Sequence, residues 1–206
     1  MEHESEPWLQ RLRDGVVPPL WPFVAGALGL FAVAVGVLAF EAAYVSFPAS
    51  GRGSGVVLLP LLGAVLCVVV PVAAWRDSRR DRRALANARA FGVGQPSFHL
   101  PVAARGISAP QDLPDPRTVL FTVDRSGLAG WSPRSAEPVA TIPWEHIDRI
   151  DLATKDDRGR RVAYGLWLTT ADGPVVLQPR SALGRPFEVG PPRLDVLRRV
   201  LRSLRP

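Results

Sequence analysis

Two stretches of this chain carry no charge, and they limit what it can fold into more than any other feature. Residues 15–40 and 53–75 hold no Asp, Glu, Lys or Arg. A helix needs roughly 20 predominantly apolar residues to cross the hydrocarbon core of a bilayer, and each window is long enough. The sequence therefore predicts an α-helical transmembrane hairpin: helix 1 over 16–44, a short external loop over 45–54, and helix 2 over 55–75. A secretory signal opens on a basic segment and has an apolar run of only ~7–15 residues. The start here, "MEHESEP", is acidic and the run is longer, so the first window reads as a retained anchor behind an N-terminal tail, 1–15.

Orientation follows from arginine. The second window runs directly into "WRDSRRDRRALANAR", with six arginines between Arg76 and Arg89. Basic residues beside a span are held on the cytoplasmic side, and each arginine at a helix centre costs roughly 2.5–3.5 kcal/mol on insertion scales. Arg76, Arg79, Arg80, Arg82 and Arg83 thus form a stop-transfer cluster and candidate contacts for anionic lipid, which attracts juxtamembrane basic residues by about 1 kcal/mol each. Arg11 and Arg13 precede the first span, while the external loop holds only Arg52. Both termini are expected on the cytoplasmic side of the membrane, in a multi-pass arrangement. Trp21, Trp75, Tyr44 and Phe47 lie near span ends, where aromatic rings favour the headgroup level.

Small residues recur on one face of each predicted span: Ala25, Gly29, Ala32 and Gly36 on the first, Gly63, Cys67, Val70 and Ala74 on the second. Such stripes let helix backbones approach closely, which marks Gly29, Gly36 and Gly63 as candidate packing positions within the hairpin or between copies. Pro60 and Pro71 each remove a backbone donor inside the second span. Glu41 lies at a span end and reads as an interfacial carboxylate. Cys67 has no intramolecular partner and reads as a small apolar residue.

After the membrane the helix is predicted to continue as a basic juxtamembrane segment, 76–91. Residues 92–116 then read as a Pro-rich linker with Pro96, Pro101, Pro110, Pro114 and Pro116, leaving a mobile domain and at most one short strand near 97–103. From 117 the pattern is β. "TVLFTVD" alternates, "RSG" turns, "PWEHI" reads as a brief helical turn, and Asp172-Gly173 marks a hairpin between "GLWLTT" and "PVVL". Trp131, Trp144 and Trp167 are expected in the core. The end, "PPRLDVLRRVLRSL", is an amphipathic helix with Leu194, Leu197, Leu201 and Leu204 on one stripe and proline at its start. Off that stripe lie Arg198, Arg199 and Arg202, a candidate interaction surface.

The elements "FTVDRSGLAGW", "IPWEHIDRIDL", the Asp-Gly hairpin and the terminal Leu-rich helix together resemble the bacterial pleckstrin-homology-like (PH-like) domains that follow one or two transmembrane helices. The likeness covers roughly residues 117–205, and with the hairpin in front most of the chain. It implies a cytoplasmic α+β domain, a partly open antiparallel β-barrel capped by the C-terminal helix, that binds proteins or membrane surfaces. That fold has seven strands before its helix, whereas five or six can be placed here from pattern.

No catalytic constellation accompanies these elements. His3, His99 and His146 fall in the tail, the linker and a turn, without metal-ligand spacing. No nucleophile or phosphate loop stands beside them, so neither an enzyme nor a bound cofactor or metal is expected. From Arg76 onward 22 Lys and Arg face 14 Asp and Glu. Nucleic-acid binding would want interleaved aromatics on the basic face, and these clusters lack them. The expected function is an interaction module at the inner face of the membrane, for a protein partner or the membrane surface, in a scaffold or regulatory role. The alternative is a small-molecule sensor, or an accessory subunit that self-associates through its membrane helices.

Overall fold

The strand that organises the β-domain comes from the proline-rich stretch. In the computed structural model, which describes residues 6–44, 54–92, 96–108 and 120–206, β1 (Phe98–Ser108) lies at the centre of a seven-stranded antiparallel sheet. The other strands are β2 (Leu120–Val123), β3 (Gly127–Trp131), β4 (Ala140–Pro143), β5 (Ile147–Asp157), β6 (Arg160–Thr170) and β7 (Gly173–Pro179). Their spatial order is β4-β3-β2-β1-β7-β6-β5. The first half of β1 pairs with β2, from Phe98↔Val123 to Pro101↔Leu120, and the second half pairs with β7 across a register shift between Val102 and Ile107. Such an irregularity bends a strand and increases its twist, so one strand serves two half-sheets. Pro101 is tolerated in this central position because its carbonyl alone is used, accepting the Arg180 N–H at 2.8 Å.

Turn chemistry sets the hairpins. Asp124 Oδ1 accepts the backbone N–H of Ser126 at 2.7 Å and of Gly127 at 3.2 Å, closing the β2–β3 turn. The β6–β7 register ends on Thr170↔Gly173, so Ala171 and Asp172 form the turn of the hairpin that Asp172-Gly173 marked. "PWEHI" supplies a single 3-10 turn, Trp144–His146, between β4 and β5. β4 and β5 are the outer strands, and the sheet is not closed into a barrel.

The C-terminal helix, α4 (Pro191–Leu204), buries Leu194, Val196, Leu197, Val200 and Leu201 and packs on β5 and β6. Trp131 is fully buried with its Nε1–H donating to Thr122 Oγ1 at 2.8 Å, and Trp144 is buried with Nε1–H donating to the Asp124 carbonyl at 2.8 Å. Trp167 departs from expectation: it is 39% exposed, because it occupies the opposite parity of β6 from the buried Leu166 and Leu168.

The chain divides into two compact units, Met1–Pro18 with Asp77–Pro206, and Pro19–Arg76. The first is larger than the stretch from 117 that the sequence suggested. Helix α1 (Pro7–Arg13), read from sequence as a tail, places Leu9 and Leu12 in the same core as Phe98, Leu100, Trp131 and Leu197. β1, read mostly as linker, adds Phe98, Leu100 and Val102 to that core. Two leucines three apart are too few to register as a helical period, and prolines at 96 and 101 hide the alternation of β1.

The second unit contains α2 (Trp21–Tyr44) and the first part of α3 (Ser54–Ala90). α3 runs as helix through Pro60 and Pro71 and on into the arginine-rich segment. On α2 the large apolar residues Leu28, Leu30, Val33 and Phe40 are all exposed, at 62–66%. Among the described residues, however, no helix is long and apolar enough to cross a membrane; the side chains of α2 are described without a break only from Trp21 to Val37. α2 and α3 are helices where the sequence placed the hairpin, but the expected transmembrane hairpin is not supported, since neither is long and apolar enough to span among the described residues. The connection over 45–53 lies outside the described residues.

Candidate functional site

The arginine run sorts itself by face. Between Asp77 and Ala90 the buried positions are Ser78, Asp81, Ala84, Leu85 and Ala88, spaced as one side of a helix, while Arg79, Arg80, Arg82, Arg83 and Arg89 are exposed. The acidic residues of "RDSRRDRR" are withdrawn. Asp77 is partly buried and pairs with Arg80 at 3.8 Å, and Asp81 is fully buried. What remains outward is an arginine face. Arg76 is also exposed, at the end of the other unit.

Asp81 is the anchor that turns this helix. Its Oδ1 accepts Arg180 Nη2–H at 2.6 Å and its Oδ2 accepts the Gly184 N–H at 2.5 Å. Arg180, immediately after β7, is itself buried, and it also donates from Nε to the Val102 carbonyl and from Nη1 to the Arg185 carbonyl, both at 3.2 Å. Burial pushes the Asp81 carboxyl above its ordinary value, against the opposing pull of Arg180 and the Gly184 N–H. Gly184 sits at φ +71°, and a Cβ there would lie 2.9 Å from Ser78 Oγ and 3.0 Å from Val17 Cγ1, so only glycine brings its amide this close. Farther along, Asn87 Nδ2–H donates to the carbonyls of Ser132 (3.2 Å) and Ser135 (2.7 Å), and the Phe91 ring meets Trp131 edge-on at 5.7 Å. The basic segment is thus a fixed part of the β-domain surface.

The arginines on and just after α4 have partners within the chain. Arg198 and Arg199 pair with Asp195 of their own helix at 2.6 and 3.4 Å. Arg202 donates to the Ile150 carbonyl at 2.9 Å and to Asp151 Oδ1 at 3.0 Å, and Arg205 donates to the Asp148 carbonyl at 2.9 Å. These carbonyls belong to the outer strand β5. An edge strand exposes unpaired backbone groups that invite pairing with other chains, and Arg202 and Arg205 cap two of them. A Cβ built at Gly29, Gly36 or Gly63 meets nothing within 4 Å among the described residues.

His99, read as a linker residue, is 6% exposed on β1. Its Nδ1 lies 3.0 Å from the Leu12 carbonyl and 3.2 Å from that of Arg13, the last residues of α1. Carbonyls only accept, so Nδ1 carries the proton, and the ring caps carbonyls that a helix end leaves open. The turn that follows, with Gly15 at φ +60° and Val16 N–H donating to the Arg11 carbonyl at 3.1 Å, brings Gly15 against the same ring. Burial lowers the His99 pKa from its ordinary 6.5; the Leu12 and Arg13 carbonyls oppose this, as does Asp14, while Arg89 adds to it. A depressed histidine leaves stability intact above the unfolded pKa. Below about pH 6.5 the unfolded chain takes up a proton that the folded chain refuses, so stability falls with pH until the folded pKa is reached. The denaturation midpoint of the full chain is therefore expected to drop between pH 7.5 and 5.5, and His99→Gln should flatten that slope. An unchanged slope in the variant would remove His99 as its source.

Of the other sequence-level candidates, His146 is exposed and His3 lies outside the described residues. Among the described residues no group of three or more His, Cys, Asp or Glu is placed to hold a metal ion. Asp81 had a legible signal, its place on the Ser78–Leu85–Ala88 face, but Arg180, 99 positions away, had none. With this geometry established, the protein is an open seven-stranded antiparallel sheet closed over by helices, with an arginine face held on it by a buried ion pair. No protein-family model, no curated protein and no solved structure matches the chain.

Proposed function

We propose that the protein is a membrane-anchored interaction module, a PH-like domain held at the inner face of a bacterial cytoplasmic membrane, whose α3 arginine face contacts anionic headgroups. One observation carries this reading: directly after an uncharged run of more than 20 residues, the chain turns its arginines outward and buries the acid among them. A net acidic or mixed face would gain little from an anionic leaflet, whereas an arginine face gains about 1 kcal/mol per residue near the surface. The exposed leucines, valines and phenylalanine of α2 support the anchor, since an apolar surface of that kind is stable in water only when something covers it. Seven antiparallel strands with β1 shared between two half-sheets, followed by a helix, support the PH-like assignment.

Topology reporters test the anchor. A fusion after Pro206 should report as cytoplasmic and an insertion at Gly51 as exported; the reverse pattern, or a chain recovered in the soluble fraction, would end the proposal. For the headgroup contact, the full chain in nanodiscs should show slower amide exchange over 76–90 with anionic than with zwitterionic lipid. Arg79→Gln/Arg82→Gln/Arg83→Gln should erase the difference.

A further inference from the structure

α1 has seven residues, and its N-cap Glu6 makes no side-chain capping bond. Helices shorter than ~12–15 residues are marginal on their own in water, so α1 is helical because of where it sits. Its seat is built entirely by other elements. Leu9 and Leu12, at 0% and 1% exposure, enter a core that includes Phe98 and Leu100 of β1 and Leu194 and Leu197 of α4. The Arg193 guanidinium of α4 stands 5.2 Å from the centre of the Trp8 ring. At the other end His99 receives the last two carbonyls of the helix.

We infer that this seat is a helix-binding groove and that α1 is its built-in occupant. A short amphipathic helix from another chain can take its place if it carries two leucines three apart and an aromatic residue directly before the first. The seat has the three parts that helix-in-groove recognition uses. The apolar floor accepts an i, i+3 pair. Arg193 at one rim selects a flat aromatic ring through its π-face. His99 at the far rim selects a helix that ends there, because it offers its N–H to open carbonyls that a continuing helix would have bonded internally. α1 would then act as an autoinhibitory plug, with access to the groove set by how often α1 leaves it. This inference does not rest on the membrane reading above.

Leu9→Gln/Leu12→Gln in the full chain should vacate the groove. A fluorescent peptide of residues 6–17 is expected to bind that variant at least about tenfold more tightly than the wild-type chain, as a seat whose own occupant is weakened should. The same peptide with both leucines changed to Gln should not bind. Absence of binding to a variant with a wild-type circular dichroism spectrum, or equal binding to variant and wild type, would overturn the inference. Should the variant fail to fold, a protease site inserted between Pro18 and Pro19 of the wild-type chain gives the second measurement. After cleavage the α1 fragment should exchange with excess labelled peptide. A fragment that never exchanges, or that departs without the labelled peptide replacing it, refutes the groove.

Discussion

Asp81→Ala is expected to lower the stability of the β-domain by about 3–5 kcal/mol, the usual cost of removing one partner from a buried ion pair. Asp81 and Arg180 have side-chain exposures of 0% and 5%, so water cannot replace the lost carboxylate. The guanidinium would keep its bonds to the Val102 and Arg185 carbonyls but hold an uncompensated charge, and the Gly184 N–H would lose its acceptor. Asp81→Asn keeps an oxygen for Arg180 while turning an NH2 toward the Gly184 N–H, donor against donor, so it should fall between. The compensated variant, Asp81→Ala/Arg180→Met, should recover part of the loss, because a buried charge without a partner costs more than no charge at all. Denaturant unfolding of the full chain in detergent, followed by tryptophan fluorescence, measures all three. With Arg180→Met alone as the fourth corner of the cycle, a double variant that loses the sum of the two single losses, within about 0.5 kcal/mol, would mean that the pair is not coupled and that Asp81 is not the anchor described.

A chain cut to residues 117–206, the boundary that composition suggests, is expected not to fold. It lacks β1, which separates β2 from β7 in the sheet, so the remaining strands fall into two unconnected halves. Phe98, Leu100 and Val102 leave with it, each fully buried and each worth about 1.5–3 kcal/mol; Arg180 also loses Asp81. Together these losses are comparable with the 5–15 kcal/mol that holds a typical domain. Circular dichroism and amide dispersion decide the matter. A cooperative melt with dispersed resonances would mean that β2–β7 and α4 fold without the central strand, and the sheet described here would need revision.

The elements legible in advance were those with local causes. Asp172-Gly173 marks a hairpin, "PWEHI" a single turn, and the leucine spacing of 194–204 an amphipathic helix, because each depends on residues within a turn or two of one another. α3 continued beyond the uncharged run for the same reason, as nothing between Arg76 and Ala90 breaks a helix. Trp167 shows the limit of such reasoning: its identity argued for the core, but only strand pairing decides which parity of β6 faces inward.

The candidate site was legible only in part. Sequence marked Arg79, Arg80, Arg82 and Arg83 as a cluster, and the fold kept them outward. It marked Arg198, Arg199 and Arg202 as a surface for partners but not their contacts within the chain, Arg202 on the edge of β5 and Arg198 and Arg199 on Asp195. The difference is distance along the chain. Charge and periodicity record what a segment will do by itself, so uncharged runs, turn residues and helix stripes could be read directly. Which tail becomes core, which linker becomes the central strand, and which aspartate of an arginine run turns inward depend on partners 80 to 100 residues away, such as Leu12 with His99 and Asp81 with Arg180. Those pairings exist only once the sheet has brought the segments together, and burial then gives them their strength.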